Sequence, residues 1–456
     1  MAPLTHIPLP LLPAPPSWFP GHMMKFTRML PSLLTRTDVV IEIRDSRLPL
    51  TSINRSLEGA LRKWRLERGW DANDPTRRII NAGPCERLVV LNKRDLVPEW
   101  GMEPFRLAMA KKCPDQQVLF ASWQRPRDIR DLSHTLVDIA RKYPHTPELN
   151  VLVIGMPNVG KSTLLNALRN MGITGMFTFL YHAAPFFFLS PVLVHEFQET
   201  PKAFKTSAQP GLTQALSTRL KLSIEPLVYA FDSPGVMLPF LGQGEKGAER
   251  GIKLALIAGI KEGMYDNDAL ASYLLYRMNV LNPISPAYLS LLPEGTQPTI
   301  DLGEFLTKLA LRMGMVKRGA EPDISRAAAY FVRWWREEGG LLVASTAFPL
   351  RTGVANEEDL NPAAGSADNH AFAHGWGFDF QWQLSLNDLP GASNEVTTSN
   401  TEALIQSKME DCIEQHLIES EREDKDDSNV SATQRRKQLS TEEKARRRQK
   451  YAKSRR

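Results

Sequence analysis

The sequence predicts an α/β protein: a mainly parallel sheet with helices on both faces, then a small all-α domain and a charged, disordered tail. Three observations carry this reading. Short apolar runs alternate with helical stretches up to about residue 245, the pattern of a parallel sheet covered on both sides. Beyond about 245 only helical periodicity remains. From about 346 the chain turns polar and rich in Gly, Asn and Ser, and then charged, a composition poor in core material. With 456 residues, 42% hydrophobic and 23% charged, there is enough apolar material for two or three globular units. Collagen, small disulfide scaffolds and polytopic membrane proteins are excluded. Cys85, Cys113 and Cys412 lie far apart with no CxxC pair, which argues against a zinc or disulfide framework and for a reducing compartment.

Residues 1–17 read as a leader in which Pro3, Pro8, Pro10, Pro13, Pro15 and Pro16 oppose a helix. No acidic residue precedes Asp38, which hints at mitochondrial import, but the prolines are unlike an amphipathic transit peptide. The features of a secretory signal are missing, and a disordered leader is the plainer alternative. Buried strands are expected at 38–43, 87–91, 117–121, 150–154 and 227–231, with helices at 61–67 and 132–142. Leu302, Phe305, Leu306 and Leu309 fall at helical spacing, as do Ile324, Ala327, Ala328, Phe331 and Trp335. Arg326, Arg333 and Arg336 lie elsewhere on that second helix, either as a solvated face or as an RNA-facing one. The expected units are the leader, a sheet domain over 18–244, a helical domain over 245–345, and linker and tail from 346.

The run Gly155-Met156-Pro157-Asn158-Val159-Gly160-Lys161-Ser162 matches GxxxxGK[ST], follows the strand 150–154 and precedes a helical run at 163–169. Such a loop turns several backbone N–H groups toward phosphates, aided by the helix start. Gly155, Asn158, Val159, Gly160, Lys161, Ser162 and Thr163 are therefore candidate phosphate ligands. Lys161 would neutralise the β- and γ-phosphates, and Ser162 would ligate Mg²⁺. Asp232-Ser233-Pro234-Gly235 closes the strand 227–231, where an Asp can hold Mg²⁺ and the Gly N–H can meet the γ-phosphate. Pro210-Gly211-Leu212-Thr213 between them reads as a switch segment whose Thr213 completes the metal site, or as an ordinary turn.

Asn92-Lys93-Arg94-Asp95 closes the strand 87–91. A carboxylate there can accept two hydrogen bonds from guanine, a donor pair that adenine lacks. Lys93 would lie along the base, Asn92 would brace the loop, and Ser122 after the strand 117–121 would meet the base oxygen. In an ordinary GTPase the base-reading motif follows the phosphate loop; here it comes first, so the chain order is circularly permuted.

That order, with Trp18-Phe19-Pro20-Gly21-His22-Met23, Asp45-Ser46-Arg47-Leu48-Pro49, NKRD, GMPNVGKS, PGLT and DSPG, resembles the YlqF-related ribosome-biogenesis GTPases and their mitochondrial counterparts over roughly 18–340. The resemblance implies a permuted P-loop GTPase domain and a helical RNA-contacting domain. It implies binding of GTP and GDP, assembly of the large ribosomal subunit, and contact with its rRNA. It further implies a mitochondrial matrix location, with peripheral contact at the inner membrane an added expectation, and a monomer when free. Val236 stands where Ras-like enzymes have a water-orienting Gln. The resemblance gives that role to His22, which could equally be a packed turn residue. It also makes Asn158 a ligand for K⁺. A nucleotide-gated rRNA scaffold with negligible hydrolysis, and a nuclear or cytosolic enzyme of the same class, are the alternatives.

Two segments fit the pattern poorly. Residues 170–195 carry no formal charge and hold two Phe-rich runs, inside an expected short polar loop. A membrane span, an insertion within 170–200 and a retained intron are the readings. The tail is acidic over 410–427 and basic over 435–456, suited to rRNA phosphates, to a nuclear address, or to simple solvation.

Overall fold

The computed structural model describes residues 4, 6–171, 216–338, 372–384 and 398–425, with single tail positions at 436, 440, 443 and 444. The sheet domain opens with α1 (Gly21–Leu34), β1 (Val39–Asp45), α2 (Arg55–Glu67) and β2 (Glu86–Asn92). It continues with α3 (Met102–Lys112), β3 (Gln117–Ala121), α4 (Pro126–Lys142) and β4 (Leu149–Gly155). Helix α5 (161–171), β5 (Leu220–Ser223) and β6 (Val228–Asp232) complete it. Asn54 caps α2 by accepting from Ser56 N at 3.2 Å, and Pro126 opens α4, where its missing N–H costs nothing.

The strand order is β3-β2-β1-β4-β6-β5, all parallel except the β5–β6 pair. Strands β1 and β4 are adjacent, and the order reverses between them. Ligands of open α/β sheets bind at such a switch point, beyond the carboxyl ends of the strands. The parallel registers pair Asp45 with Asn92 and Asn92 with Ala121. Ile43 pairs with Gly155, and Val153 with Asp232. The motif-bearing ends therefore converge on one edge.

The helical region comprises α6 (Gly244–Leu256), α7 (Asn267–Leu281), α8 (Leu302–Arg312) and α9 (Ile324–Glu338). Asp301 caps α8 by accepting from Gly303 N at 2.7 Å and Glu304 N at 3.2 Å. Phe305 and Phe331 pack edge to face with ring centroids 4.6 Å apart.

Two parts of the chain differ from expectation. The Pro-rich leader, for which disorder is one of the two readings above, lies against the helical region: Leu4 N donates to Pro283 O at 3.2 Å, and Leu9 and Leu12 pack on the core. Its prolines suit an extended strap. The expected linker and tail include the hairpin β7–β8 (Phe372–His374 with Trp382–Leu384) and α10 (Thr398–Lys425). Between the hairpin strands, Trp376, Phe378 and Phe380 are fully buried. Trp376 stacks on Phe105 of α3 and donates Nε1–H to Pro98 O at 3.0 Å. Gly101 has no room for a Cβ beneath that indole. Helix α10 buries Ile405, Met409 and Ile413 and pairs Lys111 with Glu410 at 2.5 Å and Lys112 with Glu414 at 2.6 Å. A few well-spaced aromatic and apolar residues anchor a segment whose average composition is polar. The uncharged segment, apart from 170–171, and the basic end of the tail, apart from those single positions, lie outside the described residues.

Candidate nucleotide site

The loop 155–160 leaves β4 and delivers the chain into α5. Asn158 and Gly160 both adopt left-handed backbone, φ 58° and 94°. A side chain at Gly160 would meet Asn92, whose Nδ2 donates to Val159 O at 2.8 Å. The base-motif and phosphate loops are thus locked together, although 60-odd residues separate them in sequence. Lys93, itself at φ 62°, donates from Nζ to Asn158 O at 3.0 Å and to Asp45 Oδ2 at 2.8 Å.

Lys161 is buried, and its Nζ donates to Met156 O at 2.8 Å and Gly155 O at 3.3 Å, the carbonyls of its own loop. Burial pushes its pKa down to about 8 against the pull of Asp232. Ser162 Oγ donates to Asp232 Oδ2 at 2.5 Å. Burial raises the Asp232 pKa, opposed by Lys161 and Ser162. Its Oδ1 is buried without a hydrogen-bond partner among the described residues. A paired hydroxyl and carboxylate with an unmet oxygen is a donor set that fits Mg²⁺.

These groups border a cavity of about 1070 Å³ between the sheet edge and α9. Asn92, Lys93, Asn158, Gly160, Lys161, Ser162, Thr163 and Gly235 line it. Gly155, Val159, Ser122 and Asp232 are buried and do not reach its surface. Ser122 N donates instead to Asp128 Oδ2 at 3.0 Å. Asp95, on a 3-10 turn, and His22 are partly exposed and lie outside the lining. Thr213 lies outside the described residues.

Val236 is fully buried, with its N donating to Gly155 O at 3.1 Å and its O accepting from Asn54 Nδ2 at 2.7 Å. It packs in a cluster with Phe26, Leu30 and Leu34 of α1, and Met237 N donates to Met23 Sδ at 3.4 Å. The start of α1 is therefore seated on the segment after Gly235. His22 Nε2 is buried there without a partner among the described residues.

Sequence reasoning missed part of the wall. Trp123, half-exposed, and Arg47 line the cavity, as do Arg326, Tyr330 and Arg333 of α9. Helical spacing had put these arginines on one helix, but only the fold turns them toward the phosphate loop.

A family model described as 50S ribosome-binding GTPase matches residues 150–177. Mitochondrial ribosome-associated GTPase 1 of Xenopus tropicalis is 27% identical over 336 residues, 70% of this chain and 90% of that one. Mitochondrial GTPase 1 of Schizosaccharomyces japonicus is 28% identical over 340 residues, covering 70% and 87%. The crystal structure of GNP-bound YlqF from T. maritima is 18% identical, with a TM-score of 0.39, covering 69% of this chain and 94% of that one.

Proposed function

We propose, for a chain that is a circularly permuted GTPase of the mitochondrial ribosome-associated kind, that it hydrolyses GTP in the matrix to assist assembly of the large ribosomal subunit. The observation carrying this reading is the shared cavity. Phosphate-loop and base-motif residues form one wall, and the arginine face of α9 forms another. Nucleotide and rRNA would thus meet across a single cleft.

Lys161 leaves its loop carbonyls for the β- and γ-phosphates. Backbone N–H groups of 158–163 and Gly235 surround those phosphates. Ser162, Asp232 and Thr213 would hold Mg²⁺, which would supply neutralising charge at the phosphates when bound. Asn158 contributes to a K⁺ site. Asn92 and Lys93 brace the base, Asp95 turns onto the guanine edge, and Ser122 supports the base oxygen. Buried Val236 offers the attacking water no polar guide. His22, whose Nε2 has no partner among the described residues, positions that water once the ribosomal particle presses α1 inward. Among the described residues no helix is long and apolar enough to cross a membrane.

The test has two arms. Turnover is measured with and without mitochondrial large subunits, and the chain held with a non-hydrolysable GTP analogue is used to capture rRNA. Subunit-stimulated turnover and large-subunit rRNA are expected. Capture without turnover would make the chain a nucleotide-gated scaffold, and capture of no rRNA would overturn the assembly role.

A further inference from the structure

The Asp45-Ser46-Arg47 turn has no place in the reaction just described, yet it is the most heavily bonded carboxylate site beside the cleft. We propose that Asp45 and Arg47 are positioning residues that tie the base-reading loop to helix α9, so that a guanine nucleotide seated along Lys93 tightens α9. The proposal rests on the GTP-binding reading above.

Asp45 is fully buried at the end of β1. Arg47 holds both of its oxygens, with Nε to Oδ1 at 2.9 Å and Nη2 to Oδ2 at 2.8 Å, and Lys93 Nζ shares Oδ2 at 2.8 Å. Burial alone would raise the Asp45 pKa, but the two cations more than offset it and keep the carboxylate ionised. Two cations therefore depend on one buried anion, one from the nucleotide wall and one that reaches the helical region. Displacing either leaves the rest of the set under-paired in a low-dielectric site, where that is costly.

Arg47 extends the chain of contacts. Its Nη1 donates to Arg336 O at 3.3 Å, and its guanidinium lies 4.6 Å from the Trp335 ring centroid. The Arg336 side chain donates in turn to Leu256 O at 2.6 Å and Ala255 O at 2.9 Å, the last carbonyls of α6. Just past them, Ala258 is held at φ 57°, a left-handed conformation that an alanine seldom adopts. That twist aims its carbonyl at Asn158, whose Nδ2 donates to it at 2.8 Å. Ala258 N donates to Ala255 O at 2.9 Å, and Lys93 Nζ also bonds Asn158 O, so the contacts close a ring: Asn158, Lys93, Asp45, Arg47, Arg336, Ala255, Ala258. A base lying on the Lys93 stem and phosphates filling the loop of Asn158 restrict two members of that ring. The opposite members belong to α9 and to the turn it caps.

The test is hydrogen–deuterium exchange over 324–338 in the full chain, without nucleotide and with GDP at concentrations that saturate each variant. In the wild type GDP should slow exchange there by about fivefold or more, the lower end of typical coupling between sites. Arg47→Lys keeps a cation for Asp45 but lacks the planar fork needed to reach Arg336 as well, and it should abolish the response to GDP. Arg336→Ala, which cuts the far end, should do the same and decides the matter if Arg47→Lys does not fold. Equal protection in these variants and the wild type would overturn the relay. So would a wild type that binds GDP without any response in 324–338. A wild type that binds no GDP would overturn the GTP-binding reading instead.

Discussion

On the proposed reading Lys161 would meet the phosphates with a charge that its own burial weakens. Its pKa of about 8 in the nucleotide-free chain means that half the molecules carry a neutral amine near that pH. A bound triphosphate would favour the ammonium and raise the value, so binding should take up protons. The expected result is GDP affinity that is flat below pH 7 and falls above pH 8, toward about tenfold per pH unit. Calorimetry in buffers of different ionisation enthalpy checks the proton uptake, and Lys161→Ala should remove it along with most of the affinity. At the base end, Asp95→Asn should weaken GTP and favour a xanthine nucleotide, whose C2 carbonyl can accept from the new amide; unchanged GTP affinity would remove Asp95 from the base site. His22→Ala should lower single-turnover hydrolysis with saturating subunit by ~10²–10⁴-fold and leave nucleotide affinity nearly intact, the signature of a group acting only in the transition state. A wild-type rate there would make His22 structural. Lys161 and Asp95 could be singled out because the motif of each follows a strand, and strand ends in a parallel sheet share an edge, whereas His22 at the start of α1 entered only through the resemblance. Asp45 and Arg47 were visible only as part of a resemblance, since their roles depend on partners such as Arg336, far away in the chain.

At the scale of elements, the parallel strands were legible to within about two residues because each centres on a short run of apolar, mostly branched or aromatic side chains. Strand β5 was not: it has four residues, sits antiparallel at the sheet edge and alternates its burial, so it offers no such run. Helix α1 was missed because Pro31 lies inside it and prolines crowd its approach. The hairpin and α10 were missed for a different reason. Their sequence averages polar, while a few side chains do the anchoring, above all Trp376 between Phe105, Phe120 and Phe380. Trp376→Ala should therefore destabilise the protein by about 3–5 kcal/mol, the range for emptying a buried aromatic site. Urea unfolding monitored by circular dichroism measures it. A loss below about 1 kcal/mol would mean that the segment 372–384 is not integral to the core.

In the whole molecule, the proposed function puts nucleotide and polyanion in one cavity. Arg326 and Arg333 are exposed on the face of α9 that lines it, opposite Lys161 and Ser162. Neither makes an ion pair among the described residues, whereas Arg47 and Arg336 in the same wall are committed to protein partners. Two exposed guanidinium groups beside a phosphate loop, that of Arg333 resting 5.8 Å from the Tyr330 ring centroid, are suited to RNA backbone, whose binding releases condensed counterions. Replacing both by alanine should weaken rRNA binding across sequences. It should also reduce the slope of log affinity against log salt by roughly 1.4–1.8, two contacts at 0.7–0.9 each. GDP affinity without RNA should stay near the wild-type value, because neither residue belongs to the phosphate loop. The two ligands are also linked, since any factor by which bound nucleotide changes RNA affinity must appear in reverse. Fluorescence titration of an rRNA fragment at several salt concentrations, with and without GDP, reads both quantities. An unchanged salt slope in the double variant would place the RNA on another surface, with the basic tail beyond 435 the next to remove.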